Sequence, residues 1–293
     1  MGTMEEKTCV VTGASSGIGL ETAVALAKAG ARVIGVGRDT KRCAAAQAAI
    51  RERSCNSRVC FEVADLSSQR ETRELAARIS SRCDAVHVLV NNAGLFRSRY
   101  QESVDGIEMQ FAVNYLAAFL LTGKLLPLLR QAGEARVIGL SSGSHFAGAL
   151  RWNDIGLRRR YFGLTAYDQS KLAVVVYCRE LVRRLGPGSG IIVYAADPGL
   201  VRTEIGKKGT SLLTRLAWRL RTRTAASPEE SADAIAFLAM DPVAAGKSGL
   251  YWKDRKVVPP SNASCSREDG ERLWNLSERM CGWTIDVRDR AAR

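Results

Sequence analysis

Short apolar runs alternate with longer amphipathic segments along most of the chain. Six runs are rich in valine and isoleucine, as buried parallel strands are: Thr8–Val11, Arg32–Val36, Val59–Val63, Val86–Val90, Arg136–Leu140 and Ile191–Ala195. Five segments between them repeat apolar residues at helical spacing: Gly17–Ala29, Lys41–Arg53, Ser68–Arg82, Val113–Gln131 and Thr165–Leu185. This alternation predicts an α/β fold in which helices flank a doubly wound parallel sheet.

Two segments stand outside the alternation. Ser211–Arg223 places leucines on one helical arc and arginines on the other, which predicts a basic amphipathic helix. We favour a helix docked on its own core or substrate cleft, and contact with a membrane stays open as the alternative. Ser266–Met280 follows the Pro259-Pro260 break and is predicted to form a terminal helix.

No repeat, low-complexity tract or linker divides the chain. We therefore predict a single domain over residues 1–293. Its first half spans about 7–140 and its second half about 141–282, with a small helical lid at about 204–227.

The composition is that of an ordinary globular protein, with 46% hydrophobic and 25% charged residues. This excludes a disordered chain, a collagen and a small disulfide scaffold. The net charge of +13 permits contact with nucleic acid, anionic membranes or phosphorylated ligands. Because the positive charge is dispersed, we favour a basic soluble surface and predict no nucleic-acid partner.

The eight cysteines form no CxxC pair, and only two histidines could join them, so we predict no metal site. No signal peptide is evident at the start of the chain, which predicts a cytoplasmic protein with reduced thiols. The most apolar region, Phe111–Leu129, is interrupted by Asn114, Lys124 and Pro127. It falls short of about 18 uninterrupted apolar residues, so no transmembrane segment is predicted.

A glycine-rich loop, Thr12–Gly19, connects the first strand to the first helix. Gly13 permits a tight turn, Gly17 lets the backbone approach a phosphate, and Gly19 lets helix and strand pack closely. Backbone N–H groups at such a helix N-terminus bind a pyrophosphate. The loop predicts a dinucleotide site formed by these residues: Gly13, Ser15, Ser16, Gly17, Ile18 and Gly19.

The second strand ends beside the expected position of the adenosine ribose. Arg38 suits a 2′-phosphate, whereas an acidic residue there would accept a hydrogen bond from a 2′-hydroxyl. We therefore favour NADP over NAD. Asp39 keeps NAD open, since a shift of one residue would exchange their roles.

Two more strand ends carry candidate cofactor residues. After the third strand, Asp65 could accept from the adenine amino group, with Leu66 beside it. After the fourth strand, Asn92, Ala93 and Gly94 form a loop that permits close backbone approach. We expect Asn91 to tie that strand to Thr12.

Candidate reacting groups lie in the second half of the chain. Tyr167 and Lys171 share one helical face, and a nearby ammonium would lower the tyrosine pKa. A tyrosine tuned in this way exchanges a proton with an alcohol or a carbonyl. Ser141-Ser142 ends the fifth strand, where a hydroxyl can polarise a carbonyl. Asn114 either holds a water that links Lys171 to solvent or satisfies backbone groups around a kink.

Taken together, TGxxxGIG, NNAG, an in-helix Asn, Ser, YxxxK and Pro-Gly resemble the short-chain dehydrogenase/reductase family over roughly Lys7 to Gly282. The resemblance implies a Rossmann fold with a seven-stranded sheet of order 3-2-1-4-5-6-7, and homodimers or homotetramers. It also implies Tyr167 as general acid/base, Lys171 on the nicotinamide ribose, Ser142 on the substrate oxygen and Asn114 as water anchor. Four residues would lie near the nicotinamide or the phosphates: Pro198, Gly199, Val201 and Thr203.

The segment from Ser144-His145 to Tyr167, together with the tail Arg272–Ser277, is similar to the retinol-dehydrogenase-like branch. That similarity implies NADP-dependent interconversion of carbonyl and alcohol on a small, lipophilic substrate such as a retinoid, a steroid or an aryl ketone, and an intermediate of secondary metabolism stays open as the alternative. The first half of the chain, about 7–140, would then bind the cofactor, and the second half, about 141–282, would carry the reacting groups and bind the substrate. Asp197 departs from the pattern, because a less acidic residue is expected before Pro198. The rival hypothesis is a non-catalytic NADP-binding regulator on the same fold.

Overall fold

The computed structural model describes residues 4–199 and 227–287. The described chain forms an eight-stranded sheet of order β3-β2-β1-β4-β5-β6-β7-β8. The strands are β1 (Thr8–Thr12), β2 (Arg32–Gly37), β3 (Val59–Val63), β4 (Val88–Asn91), β5 (Ala135–Leu140), β6 (Ile191–Asp197), β7 (Tyr251–Lys253) and β8 (Lys256–Val257). The first seven strands are mutually parallel, which confirms the predicted Rossmann-type fold.

The eighth strand differs from the expected seven-stranded sheet. β8 pairs antiparallel with β7 and is two residues long, too short to show any alternation in the sequence. The two residues of the connecting turn, Asp254 and Arg255, have positive φ angles of 48° and 59°. This backbone twist is the one that suits a two-residue hairpin.

Helices cover both faces of the sheet. They are α1 (Gly17–Lys28), α2 (Thr40–Ser54), α3 (Gln69–Ser80), α4 (Met109–Gln131), α5 (Gly163–Leu185), α6 (Pro228–Met240), α7 (Pro242–Ala245) and α8 (Arg267–Cys281). Helix α4 begins four residues earlier than predicted, because the Glu108 carboxylate accepts hydrogen bonds from the N–H groups of Gln110 and Phe111 and caps the helix. Within α4, residues Ala112–Leu116 form a π-helical turn.

The core lies on both faces of the sheet, because successive strand residues point to opposite sides. Val10, Leu89 and Val137 pack under one helical layer. Their neighbours Val11 and Val88 pack under the other. With both faces buried, polar side chains collect at the carboxyl ends of the strands, where a doubly wound sheet places its ligands.

Helix α4 is long and apolar enough, by length and composition, to cross a membrane. In its most apolar window, 72% of the residues are buried inside the fold, and a core helix of a globular protein passes the same test. The absence of a transmembrane segment therefore stays a prediction. Within the two described stretches, no three His, Cys, Asp or Glu side chains gather in a way that could hold a metal ion.

Candidate active site

The glycine loop folds tightly against the neighbouring strand. Gly13 has a φ of +67°, and a Cβ there would lie 2.8 Å from the Asn92 Nδ2 atom. A Cβ on Gly19 would lie 2.5 Å from the carbonyl oxygen of Gly13. Both positions therefore require glycine, in keeping with the predicted turn at Gly13 and the predicted close packing at Gly19. Gly17 also has a positive φ, of 59°.

The N-terminus of α1 faces the same loop without a side-chain cap. Ser16 occupies the N-cap position with extended backbone, and its hydroxyl makes no capping hydrogen bond. The first N–H groups of the helix have no partner within the helix, and together with the helix dipole they favour an anion. This arrangement fits the pyrophosphate of a dinucleotide.

The loop after β4 is tied to β1 by Asn92, and the expectation that Asn91 makes this tie is wrong. The Asn92 side chain donates to the Thr12 carbonyl oxygen at 2.7 Å, and its backbone N–H donates to the Thr12 hydroxyl at 2.9 Å. Asn91 instead donates to the Thr122 hydroxyl on α4. Asn91 is the last residue of β4 and its side chain points to the sheet face that α4 covers, whereas Asn92 lies just beyond the strand end, beside Thr12.

A cavity of about 460 Å³ runs from the glycine loop to the end of β2. All the predicted dinucleotide residues up to Gly94, apart from Gly19, line it: Gly13, Ser15, Ser16, Gly17, Ile18, Arg38, Asp65, Leu66, Asn92, Ala93 and Gly94. Gly19 lies beneath the loop, where it permits the packing described above. The volume and the lining are those of a cofactor cleft.

Three arginines border the β2 end of this cavity. Arg38 follows β2, Arg42 lies one turn into α2, and Arg97 reaches in from the loop after β4. Burial, and then the positive charge of Arg38, lower the pKa of Arg97, which places the two guanidinium groups near each other. Arg42 and Arg97 were not among the residues identified from the sequence. Arg42 could have been identified, because it lies four residues after Arg38 at the start of a predicted helix.

Asp39, the acidic residue that kept NAD open in the sequence analysis, caps a helix in the structure. Its carboxylate accepts a hydrogen bond of 2.8 Å from the Arg42 N–H and caps α2. Asp65 likewise accepts from the Ser67 N–H, at 2.9 Å, while it lines the cavity. Asp39 and Arg38 both line the cavity, so an acidic and a basic side chain border it after β2.

Ser142, Tyr167 and Lys171 converge at the carboxyl ends of β5 and β6. The Lys171 ammonium donates to the Leu140 carbonyl oxygen at 2.9 Å and lies 5.6 Å from the centroid of the Tyr167 ring. A Cβ on Gly94 would lie 3.6 Å from the Lys171 Nζ atom, so this ammonium borders the dinucleotide cavity. Ser141 takes no part, because its buried hydroxyl donates to the Lys171 carbonyl oxygen.

The electrostatics differ from the simple expectation that Lys171 lowers the tyrosine pKa. Burial raises the pKa of Tyr167, and the negative charge of Asp197 raises it further, while a hydrogen bond with Ser142 lowers it. Burial lowers the pKa of Lys171 to about 8, and Asp197 opposes that shift. Desolvation is the main cause of both shifts, because Lys171 is buried and Tyr167 is half-buried in the fold.

Asn114 lies in the π turn of α4, and its side chain is already engaged. Its Nδ2 donates to the Leu95 carbonyl oxygen and to the Ser170 hydroxyl, both at 3.0 Å, and its Oδ1 accepts from the Leu95 N–H at 2.7 Å. These hydrogen bonds tie the π turn to the loop after β4 and to α5, and not to backbone groups of α4 itself. The role as a water anchor remains a proposal.

The loop after β6 brings an acid into the site. The Asp197 carboxylate accepts a 2.9 Å hydrogen bond from the Gly199 N–H, and Ser231 donates to the Pro198 carbonyl oxygen at 2.6 Å. The sequence marked Asp197 as a departure but gave it no role. Val201, Thr203, the amphipathic segment Ser211–Arg223 and nearly all of the expected lid lie outside the described residues.

Comparison with known proteins agrees with this geometry. The family model for short chain dehydrogenase matches residues 7–212. Retinol dehydrogenase 13 of Homo sapiens is 39% identical over 289 residues, covering 96% of this chain and 86% of that protein. Retinol dehydrogenase 12 of Mus musculus is 38% identical over 276 residues, covering 94% and 86%.

Solved structures show the same fold. An uncharacterized protein from Mycobacterium paratuberculosis superposes with a TM-score of 0.77 at 30% identity, covering 97% of each chain. The RhlG/NADP active-site complex of Pseudomonas aeruginosa superposes with a TM-score of 0.69 at 27% identity, covering 89% of this chain and 98% of that one. By its residues, its fold and its relatives, this chain belongs to the short-chain dehydrogenase/reductase family of NAD(P)-dependent carbonyl/alcohol oxidoreductases, within the retinol-dehydrogenase-like branch.

Proposed function

We propose that the protein is an NADP-dependent oxidoreductase that interconverts a lipophilic carbonyl compound and its alcohol. The observation that carries the proposal is the convergence of Ser142, Tyr167 and Lys171, with the Lys171 ammonium beside Gly94, which lines the dinucleotide cavity. A regulator that only bound the cofactor could use Lys171 on the nicotinamide ribose but would need neither the Ser142 hydroxyl nor the Tyr167 hydroxyl.

The preference for NADP rests on charge. Arg38, Arg42 and Arg97 border the cavity where the adenosine ribose would lie, and Asp39 is occupied as a helix cap. Guanidinium groups bind a phosphate through several parallel hydrogen bonds. A 2′-phosphate would meet three such groups there, whereas the Asp39 carboxylate, on the same part of the cavity, already accepts a helix-capping bond through one of its oxygens. The similar RhlG protein was solved as a complex with NADP, which is in keeping with this preference.

In the proposed reaction, the bound nicotinamide supplies or accepts a hydride at the substrate carbon. Ser142 and Tyr167 hydrogen-bond the substrate oxygen, and the Tyr167 hydroxyl donates its proton as negative charge develops there. The raised pKa of Tyr167 keeps the hydroxyl protonated and ready to donate near neutral pH. Lys171 holds a positive charge beside the tyrosine and stabilises the phenolate that is left.

Exposed apolar side chains lie close to these groups in the sequence. Phe146, Phe162 and Leu164 are 58%, 61% and 43% exposed, and all three lie within five residues of Ser142 or Tyr167. Exposed large apolar side chains clustered at a site mark a binding surface for an apolar ligand. They support a lipophilic substrate, of the retinal, steroid or aryl-ketone class.

The decisive experiment measures NADPH and NADH oxidation by the purified protein against retinal, steroid ketones, quinones and aryl ketones. Tyr167→Phe removes the proton donor, so we expect kcat to fall on the order of 100-fold or more, with NADPH binding by fluorescence unchanged. Retained turnover in this variant would refute the assignment of Tyr167. Tight NADPH binding by the wild type without turnover of any carbonyl would favour the regulator hypothesis.

A further inference from the structure

His145 lies three residues after Ser142 and is fully buried, with 0% of its surface exposed. Its Nδ1 atom lies 2.8 Å from the Ser142 carbonyl oxygen, and its Nε2 atom lies 3.1 Å from the backbone nitrogen of Ser261. The ring packs between Phe146 and Tyr251, with centroid distances of 4.1 and 4.5 Å. His145 thus joins the backbone of the candidate catalytic serine to the segment that follows β8.

These two contacts determine which ring nitrogen carries the proton. The Ser261 N–H can only donate, so Nε2 must accept and carries no hydrogen. The Ser142 carbonyl oxygen can only accept, so Nδ1 must be the donor. Burial also lowers the pKa of His145, against the opposing charge of Asp197, which keeps the ring neutral. The ring is therefore the Nδ1–H tautomer.

The hydrogen bonds of His145 affect the orientation of the Ser142 hydroxyl. Its carbonyl oxygen accepts from both the backbone N–H of His145, at 3.0 Å, and the ring Nδ1–H. These two hydrogen bonds hold the peptide group between Ser142 and Gly143 in place. The hydroxyl accepts from the Ser144 N–H at 3.3 Å, which leaves its own proton to donate into the site.

We propose that His145 is a positioning residue that orients Ser142 toward the substrate oxygen through the Nδ1–H bond and anchors that orientation to Ser261 through Nε2. His145 itself contacts neither substrate nor cofactor. The inference rests on the proposed function, because orientation of Ser142 matters only if Ser142 binds a reacting oxygen.

Two variants separate the two bonds. In His145→Asn, the side-chain N–H lies near the position of Nδ1 and can still donate to Ser142, but the side chain is too short to reach Ser261. In His145→Gln, the amide oxygen lies near the position of Nε2 and can accept from Ser261, but the bond to Ser142 is lost. Both variants remove the same ring from between Phe146 and Tyr251, and the shorter Asn leaves the larger cavity, so packing alone predicts the greater loss in His145→Asn. His87→Asn, at the amino-terminal end of the sheet, is the matched control for a histidine lost elsewhere.

We expect kcat for carbonyl reduction to fall on the order of tenfold to 100-fold in His145→Gln, because a small displacement of a catalytic group is costly. In His145→Asn we expect a loss of less than about threefold, at an equal or greater loss of thermal stability. The KM for NADPH should stay near the wild-type value in both. Equal kcat losses in the two variants, or a wild-type kcat in His145→Gln, would overturn the proposal and leave His145 a purely structural residue.

A second measurement does not depend on activity. The chain has two histidines, so ¹⁵N–¹H spectra of histidine-labelled protein contain two imidazole systems, and His87→Asn assigns them. We expect His145 to show the neutral Nδ1–H tautomer, and an Nε2–H tautomer would overturn the hydrogen-bond arrangement. A wild-type protein that binds NADPH, shows the Nδ1–H tautomer and reduces no carbonyl would instead overturn the proposed function and, with it, the kinetic role of His145.

Discussion

The carboxylate of Asp197 lies among the reacting groups and is only 5% exposed. Its negative charge raises the pKa values of Tyr167 and Lys171. In Asp197→Asn both pKa values should therefore fall. Alcohol oxidation requires Tyr167 as the phenolate, so its rate increases with pH. In Asp197→Asn this increase should occur at lower pH. Carbonyl reduction needs the protonated tyrosine, so its decline at alkaline pH should move in the same direction.

The measurement is the pH profile of kcat/KM in both reaction directions. The amide introduced by Asp197→Asn retains an oxygen that can accept from the Gly199 N–H, so the loop geometry is expected to survive the change. As a control, Asp84→Asn removes a carboxylate from a separate pocket, which lies at the amino-terminal ends of β1 to β4. Profiles of Asp197→Asn and wild type that coincide would contradict this electrostatic role.

Arg38 is expected to decide between the two cofactors. Replacing it with Gln removes a charge-assisted bond to the 2′-phosphate, which should weaken NADPH binding by roughly 10- to 100-fold and leave NADH binding nearly unchanged. Fluorescence titration of both cofactors checks this. As a control, Arg58→Gln also removes one positive charge, at a residue that does not line the cofactor cavity. An equal loss for both cofactors in Arg38→Gln would show that Arg38 contributes only general charge.

At the scale of elements, the C-terminal helix α8 belongs to the core. Trp274 is 1% exposed, and its ring lies 5.0 Å from Phe119 on α4 and 6.1 Å from Tyr177 on α5. Trp274→Ala should lower the free energy of unfolding by about 3–5 kcal/mol, because it leaves a cavity between three helices. Urea denaturation measures this loss. Trp274→Phe, which keeps an aromatic ring, should cost markedly less, and similar costs for the two variants would contradict the packing argument.

Periodicity located β1 to β6 and α1 to α5, because a buried parallel strand and an amphipathic helix each leave a long pattern. It did not mark strand β7 or helices α6 and α7. It failed where a few residues decide the structure. The two-residue strand β8 has no pattern of its own, and the start of α4 depends on one capping carboxylate, that of Glu108. At the site, the sequence motifs identified Ser142, Tyr167 and Lys171. The position of Arg97 at the cavity and the hydrogen bonds of His145 could be identified only from the tertiary structure.

At the scale of the molecule, cofactor binding and folding are coupled. A ligand that binds only the folded state adds about 2.7 kcal/mol of stability at 100 times its dissociation constant. NADPH should therefore raise the melting temperature more than NADH at equal concentration, and Arg38→Gln should reduce that difference. Thermal denaturation at several cofactor concentrations tests this, and equal shifts with the two cofactors would argue against NADP preference. The cytoplasmic location and the dimeric or tetrameric state stay predictions from the sequence.

The π turn of Ala112–Leu116 gives helix α4 one residue more than a regular helix would need. Removing one residue from this turn would return α4 to regular α-helical geometry, with its two ends in nearly the same phase, and would remove the bulge that carries Asn114. Asn114 would then leave its partners on Leu95 and Ser170, although its identity had not changed. The site therefore depends on residue count as well as residue type, and a single deletion in this turn should be far more harmful than most substitutions around it.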